Sequence, residues 1–136
     1  LSNKALRILI ADEQHFQRMR IERLFNRLDY YRVAPVQSLA ELLTLVEYGG
    51  VPFDLLVINA ALADGALNLR DFLLDQPQVH HALIYGQPAE WPPTPAGGLQ
   101  KIQVSDAAVP DLTCIQRLMA IVDPQLPFVG TVISVR

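Results

Sequence analysis

The 136 residues read as an α/β domain built around a parallel five-stranded sheet. Three observations carry that reading. Short apolar runs recur along the chain, as expected of strands buried on both faces of a parallel sheet. Stretches with apolar residues at helical spacing separate them, so strand and helix alternate. Two of the runs close on polar residues, Asp12-Glu13 and Asn59. In an open α/β sheet the carboxyl ends of strands are where the chemistry sits.

The first strand spans about residues 6–11, around Ile8-Leu9-Ile10-Ala11. A helix follows over about 15–28, with Ile21, Leu24, Phe25 and Leu28 on its apolar face. Tyr31-Arg32-Val33-Ala34 reads as the second strand, ended by Pro35. Ser38 and Glu41 form a capping-box pattern, in which the serine caps an amide and the glutamate reaches back. Leu39, Leu42, Leu43 and Val46 give that helix its apolar face, and Gly49-Gly50 stop it. Phe53 to Ile58 is the third strand and Asn59 closes it. Asp64-Gly65 signals a turn, Leu67 to Leu74 a short helix closed by Pro77, and His81 to Tyr85 the fourth strand. Between Gly86 and Gly98 the pattern breaks, because Pro88, Pro92, Pro93 and Pro95 leave little room for a helix. The fourth helix is therefore expected to be irregular or missing. The fifth strand spans about Leu99 to Val104. Pro110 suits the first turn of a last helix over about 110–122, with Leu112, Ile115, Leu118, Met119 and Val122 inward. Residues 1–123 thus form one domain; residues 124–136 are a tail, a linker or an extra edge strand.

A hydrophobic fraction of 51% and a charged fraction of 18% predict a globular chain. A net charge of −3 gives no overall pull toward nucleic acid, so direct nucleic-acid binding is not expected. No apolar run approaches a membrane span, and no basic-then-apolar leader argues for export. Cys114 is the only cysteine, which excludes a disulfide framework and fits a reducing cytoplasm. Leu1 in place of Met suggests a piece of a longer chain, with room for an output domain beyond Arg136.

The stretch Ile8 to Arg18, with Asp12-Glu13 at the strand end, resembles the start of response-regulator receiver domains. Phe53 to Asn59 resembles their third strand, which normally ends in the phosphate-accepting aspartate. The resemblance covers about residues 5–123 and includes receivers attached to cyclic-di-GMP phosphodiesterase domains. It implies the CheY-like, flavodoxin-like doubly wound sheet with strand order 2-1-3-4-5. In that family a histidine kinase passes a phosphoryl group to the aspartate, with Mg²⁺ held by the acidic pair and the acceptor. A Ser or Thr after the fourth strand, a Lys after the fifth and an aromatic on the fifth complete the relay. Carried over, Asp12 and Glu13 match the metal-binding acids and Asn59 the acceptor. Gly86 falls on the Ser/Thr switch position and Ala108 near the Lys position, and no aromatic lies between Leu99 and Pro110. An amide is neutral and a poor nucleophile, and Gly86 has no hydroxyl. The expectation is a degenerate pseudo-receiver that is not switched by phosphorylation, is not an enzyme, and holds no cofactor beyond weakly bound Mg²⁺. Its expected partners are other signalling proteins or an attached output domain, with a homodimer as a further option.

Two alternatives compete. One is a phosphorelay receiver phosphorylated on another aspartate, such as Asp12 or Asp64. The other is a small-molecule binder on the same frame, against which stand the acids after the first strand and the lack of a Gly-x-Gly-x-x-Gly loop. His80 and His81 are adjacent on a strand and point to opposite faces, so they and His15 do not predict a zinc site. Arg20, Arg23 and Arg27 share a helix face, read as solvated, with a docking stripe for an acidic partner as the alternative. Trp91 is expected to fold back over the sheet, and Cys114 to be a partly buried helix residue.

Overall fold

In chain order the elements are β1 (Ile8–Ala11), α1 (His15–Arg27), β2 (Val33–Val36), α2 (Leu39–Tyr48), β3 (Phe53–Asn59), a 3₁₀ turn (Ala60–Leu62), α3 (Leu69–Leu74), β4 (Val79–Tyr85), β5 (Ile102–Val104) and α4 (Leu112–Val122). They come from a computed structural model that describes residues 2–63, 68–86 and 101–124. The five strands pair in parallel in the order β2-β1-β3-β4-β5. This is the doubly wound sheet expected from the sequence. The crossover after Gly86, with Trp91, lies outside the described residues, as do Asp64 and the tail from residue 125.

Alternation along the strands sorts the core into two layers. Leu9, Leu56, Ile58 and Ile84 face α2 and α3, where they meet Leu42, Val46 and Leu73. Ile8, Ile10, Leu55, Val57 and Leu83 face α1 and α4, where they meet Ile21, Phe25, Ile115 and Leu118. Burying each such side chain contributes about 1.5–3 kcal/mol before the entropy of ordering is subtracted.

The caps set where helices begin. Ser38 accepts from the Glu41 amide at 3.1 Å, and the Glu41 carboxylate accepts from the Gln37 amide at 3.0 Å. The first arm of the capping box is thus formed, while the second is displaced, because Glu41 takes the Gln37 amide one residue before the cap. Asn68 and Asp111 cap α3 and α4 in the same way as Ser38. Because the Asp111 side chain accepts from Cys114, α4 starts at Leu112, and Pro110 precedes the cap instead of opening the helix.

The second strand also differs from the expectation. Pro35 does not end it; β2 runs through Pro35 to Val36, with Pro35 opposite Ile10. The carbonyls of Arg32 and Val36 accept from the Ile8 and Asp12 amides, so alternation turns the Pro35 nitrogen to the open edge. A missing N–H there breaks no ladder bond, which is why an edge strand tolerates it. β4 starts two residues earlier than expected, because Val79 pairs with Phe53.

Candidate functional site

The register puts Ala11 beside Ile58, and Asn59 beside Tyr85. Asp12, Asn59 and Tyr85 therefore end three neighbouring strands, and the period of two turns all three toward the α1/α4 layer. Asp12 is only 1% exposed, and it is the buried acid among the described residues. Its carboxylate is filled from within. Oδ1 accepts from the Gln14 amide at 2.8 Å, which ties down the backbone just ahead of α1. Oδ2 accepts from the Tyr85 hydroxyl at 2.5 Å, the Gln17 side-chain amide at 3.1 Å and the Asn59 side-chain amide at 3.2 Å. Arg18 Nη1 donates to the Asp12 carbonyl at 2.6 Å, so a cation also stands beside the acid. Bonds to an ionised acceptor are stronger than neutral ones, so this cluster fixes the ends of β1, β3 and β4 relative to α1.

The orientation of Asn59 follows from both of its neighbours. Its Oδ1 accepts the Ala61 amide at 2.9 Å, capping the 3₁₀ turn. The NH₂ group is then the part left to face Asp12. Gly86 sits against the same side chain: its φ is +72°, and a Cβ there would lie 3.0 Å from Asn59 Oδ1. A glycine meets both the left-handed backbone and the close approach. The Gly86 amide donates to the Ala107 carbonyl at 2.8 Å, tying the end of β4 to the segment after β5.

Tyr85 was not singled out from the sequence. Its place at the end of a buried strand was visible, and a buried tyrosine hydroxyl needs a partner. Burial first, and then the bond to Asp12 and the charge of Asp12, raise its pKa well above the ordinary tyrosine value; Arg18 acts weakly the other way. Tyr85 is therefore a permanent donor at physiological pH.

The other predicted residues, Glu13 and Ala108, do not join this cluster, and neither do Lys101 and Asp54, which the sequence did not single out. Glu13 is exposed and makes no hydrogen bond or ion pair with a described residue. Ala108 is exposed. Lys101 lies before β5, at the opposite end of the sheet, where it donates to the Gln76 carbonyl at 3.0 Å. Its pKa is lowered by burial, with the charge of Asp75 opposing. Asp54 is also at that far end of β3, accepting from the Arg7 amide at 2.8 Å and lying 3.5 Å from His80. Among the described residues no group of three His, Cys, Asp or Glu side chains is placed to hold a metal. Around Asp12 the donor chemistry is that of a hydrogen-bond network. A divalent cation needs oxygen ligands, and here it meets an NH₂, an O–H and an N–H aimed at the carboxylate. As arranged, the residues do not fit a tightly held cation. Cys114 is half-buried on α4, and burial pushes its thiol pKa up, which disfavours a nucleophilic thiolate.

Away from the strand ends, an open groove of about 540 Å³ lies between the end of α1 and α4, lined by Leu28, Tyr30, Met119 and Asp123 among others. Tyr30 donates to Asp123 across it at 2.6 Å, and burial, then Asp123, push the tyrosine pKa up to about 12. No described helix is long and apolar enough to cross a membrane.

No protein-family model matches the chain, and no curated protein matches it in sequence. Its fold is that of CheY-like receiver domains. It is similar to a CheY-like response-regulator receiver domain from Methylobacillus flagellatus, with a TM-score of 0.62 and 14% identity over 87% of this chain and 98% of the other. It is also similar to the solution structure of SdrG from Sphingomonas melonis Fr1, with a TM-score of 0.57 and 17% identity over 86% of this chain and 95% of the other.

Proposed function

We propose that the chain is a signal-transduction receiver-like domain that acts by protein–protein contact and not by phosphorylation, with Asn59 in place of the acceptor. The observation that carries this reading is the Asn59 amide, which closes β3 and donates to Asp12 at 3.2 Å. An amide nitrogen whose lone pair is delocalised does not attack phosphorus. Asp12 is a poor substitute acceptor, since its carboxylate is buried and receives four donors. The Asn59, Gln17 and Tyr85 donors supply the positive ends that a bound cation supplies elsewhere, so Mg²⁺ at Asp12 and Glu13 is at most weak and no cofactor is needed. The domain then has no catalytic role. Its partners are other signalling proteins or an attached output domain, in the cytoplasm, and it does not bind nucleic acid directly. The fold similarity supports this setting.

Incubation with acetyl phosphate or phosphoramidate and Mg²⁺, followed by intact mass measurement, tests the reading. The expected result is no adduct of about 80 Da, the mass of a phosphoryl group. An adduct mapped to any aspartate would overturn it.

A further inference from the structure

The outer side of α1 carries a row of four exposed residues, Phe16, Arg20, Arg23 and Arg27. Their steps of four, three and four residues keep them in one line on a helix. The row is about 16 Å long at the helical rise per residue. Phe16 is 78% exposed, and its ring packs edge-on against His15 at 5.7 Å between centroids. None of the three arginines forms an ion pair with a described residue. The contrast with Arg18 on the same helix is informative, since that side chain turns inward to the Asp12 carbonyl. Glu22, the acid within the helix, is half-buried and off the row.

We propose that this row is a docking surface for an acidic helix of a partner protein. The partner would carry carboxylates at matching three- and four-residue spacing and an apolar residue against Phe16. This rests on the reading that the domain acts by protein contact. Charge argues for that occupant. Three cations in single file match carboxylates repeating along one helix face, and guanidinium groups pair with carboxylates through two parallel bonds. A long polyanion or an anionic membrane would meet the whole surface of a chain whose net charge is −3, and be repelled beyond the row. A second copy docking through the same face would set arginine against arginine.

The test uses a fluorescent, alanine-rich helical peptide of about 20 residues, long enough to hold a helix. It carries Glu at the matching spacing and Leu one turn beyond. Fluorescence anisotropy with the full chain should show saturable binding that weakens with salt. Joint replacement of Arg20→Gln, Arg23→Gln and Arg27→Gln should weaken it by at least roughly tenfold, and Phe16→Ser by about fivefold. Replacement of the three arginines by Lys should keep part of the binding that the Gln replacements lose, since the charge survives and the two parallel guanidinium bonds do not, which separates loss of charge from loss of fold. Moving the Glu residues to scattered positions around the peptide should abolish it. Equal binding of the scattered peptide, or no effect of the Gln replacements, would overturn the proposal. So would tighter binding to phosphatidylserine vesicles or to a short DNA duplex. Phosphorylation of the chain would sink the preceding reading without changing this result, and failure of the peptide to bind would leave that reading intact.

Discussion

At its start α1 faces Asp12, an acid with donors on both carboxylate oxygens; along its outer side it carries three arginines with no described ionic partner. Both regions touch one short helix, which lends Gln17 and Arg18 to the first and carries the whole of the second, and both are rich in charge or strong donors. They differ in who completes them. Around Asp12 the chain supplies its own partners, since a buried carboxylate without them would be very costly. On the outer side water is the partner, and exposed arginines cost little there. A pocket that is internally complete has little need of a ligand to set its conformation, whereas a surface row of cations can gain from an external one. On the proposed reading, the place to look for partner contacts thus moves from the strand ends to the helix surface.

The largest effect should come from breaking the closed region at its centre. Asp12→Ala leaves the Tyr85 hydroxyl and the Asn59 and Gln17 amides without their acceptor. A loss of about 3 kcal/mol in unfolding free energy is expected, read from urea denaturation. A loss under about 1 kcal/mol would mean that these donors find water as readily as Asp12, and the pocket would not be closed.

Asn59→Asp sharpens the same contrast. It sets a second carboxylate where an amide now lies 3.2 Å from Asp12. Two acids so close raise the pKa of one of them, so the folded state holds a proton that the unfolded chain releases. Stability should therefore be nearly intact below about pH 4 and fall as pH rises through the raised value. At pH 7 the expected loss is about 2 kcal/mol. Millimolar Mg²⁺ should restore much of it, because the variant presents Asp12, Glu13 and a third carboxylate to a hard cation. The parent chain should hardly respond, and a large response by the parent would favour a preformed metal site.

Tyr85→Phe removes one donor and keeps the packing. The expected loss is about 1.5 kcal/mol at neutral pH. The alkaline limb gives a separate signature. Tyr85 has its pKa raised by burial and by Asp12, and Tyr30 has its value pushed up to about 12. Above about pH 10 the unfolded chain gives up phenolic protons that the folded chain retains, so stability must fall as pH rises from there. Melting temperatures taken from neutral pH into that range should show a shallower fall for Tyr85→Phe than for the parent. An unchanged slope would indicate that Tyr85 is not the buried donor described here.

Much of this architecture was legible because local signals agreed with the tertiary result. The Ser38-Glu41 pattern formed its cap, and the periodicity of α1 and α4 picked out Ile21, Phe25, Ile115 and Leu118 as core. Pro35 was misread because the rule against proline in strands applies to paired nitrogens, and which side of β2 is paired depends on the sheet order. Pattern placed Asp12 and Asn59 at strand ends, and the receiver resemblance made those strands neighbours. That the amide of one donates to the carboxylate of the other, with Tyr85 and Gln17 joining them, depends on strand register and side-chain direction. Gly86 was noted for the hydroxyl it lacks; in the fold its lack of a Cβ matters as well, since that leaves room for Asn59.

The smallest effect is expected on the open side. Replacing Arg20, Arg23 and Arg27 jointly by Gln should change unfolding free energy by less than about 0.5 kcal/mol. The sign should be a slight gain. Arg20 and Arg23 are three residues apart and Arg23 and Arg27 four, so like charges now face each other along the helix, and each such pair is destabilising by about 0.2–0.5 kcal/mol in isolated helices. Arg27 also lies in the last turn, where a cation is favoured, and its loss offsets part of that gain. Added salt should shrink the gain, since screening relieves the same repulsion in the parent. A loss above about 1 kcal/mol would show that the arginines support the fold. The two sides of α1 would then share one role, and the row would lose its claim to be held in reserve for a partner.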